Sequence, residues 1–165
     1  MVGVVILRET SFIEGINDSK KISEAKREKL YEEITNEAVA WSVGIVDETR
    51  IDEINILNAT KEALTKAISN LKIKPEIILV DALDKIDTLS IPYISIIQGG
   101  AKIYSIAAAI IAKVTRDRII RSYDKIYPEY EFIKNKGYGT AKHIEAIKQY
   151  GLCPIHRRSF TKNFI

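Results

Sequence analysis

Cysteine is nearly absent from this chain. Cys153 is the only one in 165 residues, which excludes an internal disulfide and any zinc site built from several thiolates and leaves Cys153 as a small buried or half-buried filler. Histidine is almost as scarce: His143 and His156 stand alone, and neither has a serine, cysteine or acid at a spacing that suggests a catalytic triad. No stretch approaches the ~20 consecutive apolar residues of a membrane span. The opening MVGVVILRE lacks a basic leader and a small-residue cleavage site, so the expected location is cytoplasmic, with no membrane partner. Internal repeats and linkers are absent too, and the length predicts a single domain over residues 1–165.

What is present is the balance of a globular protein, 46% hydrophobic and 28% charged. The net charge of +3 hides an asymmetry. Residues 101–165 hold 13 of the 25 Lys and Arg but 5 of the 22 Asp and Glu, a net +8, whereas residues 1–100 hold 12 and 17, a net −5. Such segregation points to a polyanionic partner, with lysine-rich solvated helix faces as the plainer reading.

Hydrophobic periodicity predicts a strand over Val2–Leu7 and a helix capped by Ser23, running to about Ala38 with Ala25, Leu30 and Ile34 on its apolar face. The alternation of Val39, Trp41, Val43 and Ile45 predicts a half-buried strand. A short helical turn and a longer helix follow, the latter with Ala63, Leu64, Ala67, Ile68 and Leu71 on one face. EIILVDAL and IPYISII read as strands, Ala101 to about Tyr127 as a long helix, and Thr140 as the cap of a last helix stopping at Gly151. The order predicts an α/β domain with helices packed on a mixed sheet.

Five short stretches carry candidate chemistry. Asp81 closes a buried-looking strand, where a carboxylate costs desolvation energy unless a cation or donors hold it; it reads as a metal ligand, a catalytic acid or a hydrogen-bonded structural residue. Asp84 and Asp87 read as solvated. GGAK at 99–102 offers bare N–H groups and Lys102 to a phosphate, or is a plain turn. GINDSKK sets Lys20 and Lys21 beside Asn17, Asp18 and Ser19, a group suited to phosphate contact. In PIHRRSF, Arg157 and Arg158 form a phosphate clamp or a helix-end ion-pair cluster. In FIKNKGYGTAKH, the glycines around Tyr138 leave its ring free to stack on a sugar or base while Lys134 and Lys136 meet phosphates; the alternative is a tyrosine packed under a glycine-rich turn.

Taken together, GINDSKKIS, WSVGIVDETRIDEINILNAT, ILVDA, GGAKIYSIAAAIIAKVTRDR, YPEYEFIKNKGYGTAKH and CPIHRRSF resemble, in order and nearly in spacing, the type 2 ribonucleases H, specifically the bacterial ribonuclease HII family. The resemblance covers nearly the whole chain. It implies a ribonuclease H-like mixed sheet flanked by helices, and an endonuclease that cuts the RNA strand of RNA/DNA hybrids, or beside a single ribonucleotide in duplex DNA, with two Mg²⁺ or Mn²⁺ ions. It implies that Asp81 is the family's third metal-binding carboxylate, that Tyr138 packs on the sugar at an RNA-to-DNA junction, and that Lys20 and Lys21 face the substrate backbone.

The departures are specific. Family members begin with a strand carrying an Asp-Glu pair and then Gly-Arg-Gly, which is not in this chain, and Gly100 stands where the fourth carboxylate is usual. AAAIIAK is one residue short of the family pattern, and Asn135 replaces a common histidine. The resemblance therefore implies weak metal binding and impaired or absent cleavage, or a non-catalytic member that binds hybrids. It also implies a monomer whose route to association is the sheet edge left open by the missing first strand.

Overall fold

The computed structural model describes residues 1–16, 22–81, 83–96 and 102–164, with Lys102 and Ile103 as backbone only. They form two compact units, Met1–Val46 with Leu57–Val114, and Asp47–Ile56 with Thr115–Ile165.

The first unit holds strands β1 (Val2–Ile6), β2 (Ala40–Gly44), β3 (Ile78–Asp81) and β4 (Tyr93–Ile96). It also holds helix α1 (Glu24–Glu37), most of α2 (Glu48–Ser69) and the first half of α3 (Lys102–Tyr123). β1 pairs antiparallel with β2, Val2 facing Gly44 and Ile6 facing Ala40. β3 pairs parallel with β4, Ile78 facing Tyr93 and Asp81 facing Ile96. Ser23 caps α1 as expected, its hydroxyl accepting from the Lys26 N–H, and Leu30 and Ile34 are buried. Ala25 is exposed, since the first turn of α1 lies beyond the core it covers.

β2 is most buried on the phase opposite to the expected one, although Val43 of the expected face is half-buried and packs on the cluster around Ile34 and Ile110. Ala40, Ser42 and Gly44 are buried, while Val39, Trp41 and Ile45 are more than a third exposed. The reason is helix proximity: a Cβ on Gly44 would lie 1.8 Å from the Ala63 carbonyl oxygen, and the Ser42 hydroxyl donates to the Ala67 carbonyl. Small residues let α2 come down onto the strand, so the bulky ones occupy the other face, where Trp41 meets Tyr31 edge-on at 5.9 Å. Gly3 does the same for α3, where a Cβ would sit 2.5 Å from the Ala108 carbonyl oxygen. The small-residue run of α3 is thus a strand-contact surface.

A cavity of about 710 Å³ opens in this unit, touched by every residue from Met1 to Leu7 and from Ile77 to Asp81, with Leu64 and Ile68 of α2 and Ala108 and Ala112 of α3 on its walls. Successive strand side chains point to opposite faces, so a cavity that touches them all lies off the strand edge. Among the described residues β1 pairs only with β2 and β3 only with β4, and both present unpartnered edges to the slot.

The second unit contains the rest of α3, a 3₁₀ turn (Pro128–Tyr130), α4 (Phe132–Asn135), α5 (Ala141–Tyr150) and α6 (Arg158–Thr161). Its core is Tyr130, Phe132, Ala146, Ile147 and Cys153, Cys153 being the buried filler expected of it. α2 bends at Asn55 (φ 67°), which separates the short turn from the longer helix as expected. α3 runs unbroken but ends at Tyr123 rather than near Tyr127, because Pro128 forces the residue before it out of helical geometry. α5 is not the last helix, since α6 follows it.

Candidate nucleic-acid interface

Tyr138 sits on a loop whose shape is held by backbone-directed side chains. Lys136 (φ 53°) and Gly137 (φ 74°) are both left-handed, a conformation that glycine adopts without strain and lysine does not. Asn135 is buried; its Nδ2 donates to the Tyr130 carbonyl at 2.6 Å and its Oδ1 accepts from the Gly137 N–H at 2.7 Å. One amide thus serves both sides of the turn. Arg116 of α3 donates to the Lys136 carbonyl at 3.0 Å, and its guanidinium lies 5.4 Å from the centre of the Tyr138 ring. The ring is 56% exposed. The phenol is therefore presented outward, and the alternative of a tyrosine packed beneath a glycine-rich turn does not describe it.

The cations around it are disposed unequally. Lys134 is exposed and pairs with Glu131, whose carboxyl this hydrogen bond holds below the usual range. The Lys136 ammonium turns back onto the Ile133 carbonyl. Arg157 is half-buried and stacks on Phe160 at 3.9 Å; desolvation, then the neighbouring Arg116 charge, pushes its guanidinium below its ordinary value. Arg158 is exposed. Arg116 went unnoticed in the sequence because VTRDR reads as an ordinary polar helix turn; it is identified only by where α3 carries it.

PIHRRSF is partly a helix-start device. Asp52 accepts from the Arg158 N–H at 2.7 Å, the Ser159 N–H at 3.0 Å and the Ser159 hydroxyl. These bonds outweigh desolvation and lower the Asp52 carboxyl. They cap α6 from a residue about a hundred positions earlier.

His143 and His156 are not isolated. Their Nε2 atoms lie 3.0 Å apart, His143 Nδ1 is 2.9 Å from the Tyr138 carbonyl oxygen, and His156 Nδ1 accepts from the Cys153 N–H at 2.9 Å. Tyr130 and Phe132 wall both rings. The three-residue spacing of Cys153 and His156 was the available signal.

Asp81 ends β3 on its exposed phase and borders the slot. The burial expected of it is not found, because the strand alternates and its last residue points out of the core; Asp84 and Asp87 are exposed as expected. Among the described residues, no three His, Cys, Asp or Glu side chains are grouped to hold a metal ion. Asp81 by itself does not fit a two-metal centre, which needs several carboxylates around ions ~3.5–4 Å apart. Lys20, Lys21, Gly99, Gly100 and the Lys102 side chain lie outside the described residues. Among the described residues no helix is long and apolar enough to cross a membrane.

Helices packed on paired strands make this an α/β protein, and its likeness to a solved structure places it in the ribonuclease H-like class. The structure is similar to the crystal structure of ribonuclease H2 from Pyrococcus horikoshii OT3, with a TM-score of 0.75 and 31% identity over 95% of this chain and 84% of that one. The ribonuclease HII family model matches residues 1–163, and the chain belongs to the ribonuclease HII family. It is 60% identical to the ribonuclease HII of Acetivibrio thermocellus over 100% of this chain and 64% of that protein. It is 52% identical to that of Ruminiclostridium cellulolyticum over 100% and 65%, and 56% identical to that of Caldanaerobacter subterraneus subsp. tengcongensis over 98% and 67%. The chain thus spans about two thirds of the length of these relatives. Enzymes of this family act on RNA/DNA hybrids and depend on metal.

Proposed function

We propose that this chain is the substrate-gripping part of a ribonuclease HII: it binds RNA/DNA hybrids, and DNA duplexes carrying a single ribonucleotide, with Tyr138 against the sugar at the RNA-to-DNA junction. The observation that carries the reading is the Tyr138 ring, 56% exposed, with the Arg116 guanidinium 5.4 Å from its centre. A stacking surface flanked by guanidinium groups suits a sugar or base beside phosphates. Lys20, Lys21, Lys102, Lys134, Lys136, Arg157 and Arg158 supply the phosphate contacts in this reading, joined by Arg116. Lys134 exchanges Glu131 for a phosphate at small cost, since an exposed ion pair contributes little.

For cleavage, Asp81 holds at most one Mg²⁺ or Mn²⁺ weakly, because Mg²⁺ dehydrates reluctantly and takes most of its ligands from water and substrate phosphates. Asp81 borders the slot, and two-metal hydrolysis requires further carboxylates beside it, one of them in place of Gly100. Bound alone, the chain orients the duplex without cutting it.

Duplex binding measured across salt concentrations tests this. Affinity for a ribonucleotide-containing duplex should fall with a log–log slope of about −0.9 per phosphate contact. Binding that is absent, or indifferent to salt, overturns the reading.

A further inference from the structure

Four polar groups in the second unit, a backbone N–H, two imidazoles and a carbonyl, form a hydrogen-bonded chain, with the Cys153 thiol 3.1 Å from His156 Nδ1 beside its start. The Cys153 N–H donates to His156 Nδ1 at 2.9 Å, so that nitrogen carries no proton. A neutral His156 then has its proton on Nε2, which faces His143 Nε2 at 3.0 Å. His143 Nε2 must accept, its proton lies on Nδ1, and Nδ1 donates to the Tyr138 carbonyl at 2.9 Å. Two neutral imidazoles thus link the backbone of the Cys153 turn to the backbone of the Tyr138 loop. Both rings are buried, 3% and 8% exposed. Both lie among Tyr130 and Phe132, and His143 is further fixed by the Thr140 cap of α5. The rest of the Tyr138 loop is held by Asn135 and Arg116, and the Tyr138 carbonyl accepts a second hydrogen bond, from the Thr140 N–H at 2.8 Å.

We infer that the His156–His143 chain is a positioning device for Tyr138: together with the Thr140 N–H it holds the carbonyl, so that the loop is preformed for the RNA-to-DNA junction. The inference rests on the substrate contact proposed for Tyr138. It assigns the histidines no proton transfer and no contact with nucleic acid. Their service is to remove loop freedom before binding, so that ordering the ring costs little when the duplex arrives.

Two measurements on the full chain test it. Histidine side-chain ¹⁵N spectra at neutral pH should show His143 protonated on Nδ1 and His156 on Nε2; the opposite tautomer on either ring overturns the proposal. His143→Asn and His143→Gln then separate positioning from packing, because an Asn amide reaches roughly where Nδ1 stands and a Gln amide where Nε2 stands. The Asn variant should keep the amide resonances of Gly137, Tyr138 and Gly139. The Gln variant should shift them and reduce the preference for a ribonucleotide-containing duplex over all-DNA duplex by about fivefold, the loss of one buried hydrogen bond. Equal effects of the two variants on the loop refute positioning. Separation in the loop resonances without any change in duplex preference keeps the positioning role and refutes the substrate contact instead. If both variants fail to fold, the tautomers of the unaltered chain still decide.

Discussion

Acid should unfold this protein partly through His156. Its imidazole is buried, and desolvation, followed by the facing His143, pushes its pKa from 6.5 down to about 4. The other titratable groups packed against it are Tyr130 and Cys153, both raised first by burial, with Glu129 contributing to each. The folded pKa lies below the unfolded one, so the unfolded chain takes up a proton that the native chain refuses. The stabilisation is fully present above about pH 6.5, is lost as pH falls from there to about 4, and changes no further below that. Two to three pKa units at 1.36 kcal/mol each make about 3 kcal/mol, a large share of a typical domain's stability. Urea unfolding at pH steps between 4 and 8, for the unaltered chain and for His156→Gln, isolates the effect from the carboxylates that both share. The variant should be less stable at pH 7, but its stability should fall less between pH 6.5 and 4, the slopes differing by about one proton. Parallel pH profiles would refute the reasoning, for then His156 titrates alike in the folded and unfolded chain.

Tyr138→Ala should weaken binding to a junction-containing duplex by about 1–3 kcal/mol while changing all-DNA binding less; equal losses in paired titrations would mean that the ring serves the fold alone. Gly44→Ala should lower the unfolding midpoint sharply or prevent folding, because its Cβ would lie 1.8 Å from the Ala63 carbonyl oxygen, and a normal midpoint would show that α2 can lift off β2. Gly137→Ala should cost about 1 kcal/mol for its φ of 74°, read as a shift in denaturant midpoint. The chain should release no product from a ribonucleotide-containing duplex with Mg²⁺ or Mn²⁺, and Gly100→Asp alone should not restore cleavage; metal-dependent cutting that survives an Asp81→Asn control would show that other carboxylates do the work.

Much of the architecture follows from local chemistry and needs no tertiary information. Ser23 and Thr140 cap their helices because a β-region hydroxyl placed before a helix satisfies an orphan N–H wherever the helix ends up. The strands at 2–6, 78–81 and 93–96 follow from apolar runs of strand length, and the basic surplus after residue 100 from a count of charges. The sequence motifs likewise determine the family. Tertiary structure decided the rest. Which face of β2 is buried depended on α2 arriving close enough to demand Ala40, Ser42 and Gly44, a contact twenty residues away that a period-two alternation does not encode. Asp81 falls on the outer phase of a strand whose apolar neighbours suggested burial. Arg116 reaches the Tyr138 loop because α3 carries it there, and Asp52 caps α6 from the far side of the sequence. His143 and His156, unremarkable thirteen residues apart, face each other because α5 and the Cys153 turn enclose one apolar pocket; there a buried ring nitrogen must find a partner, and the other ring is the one at hand.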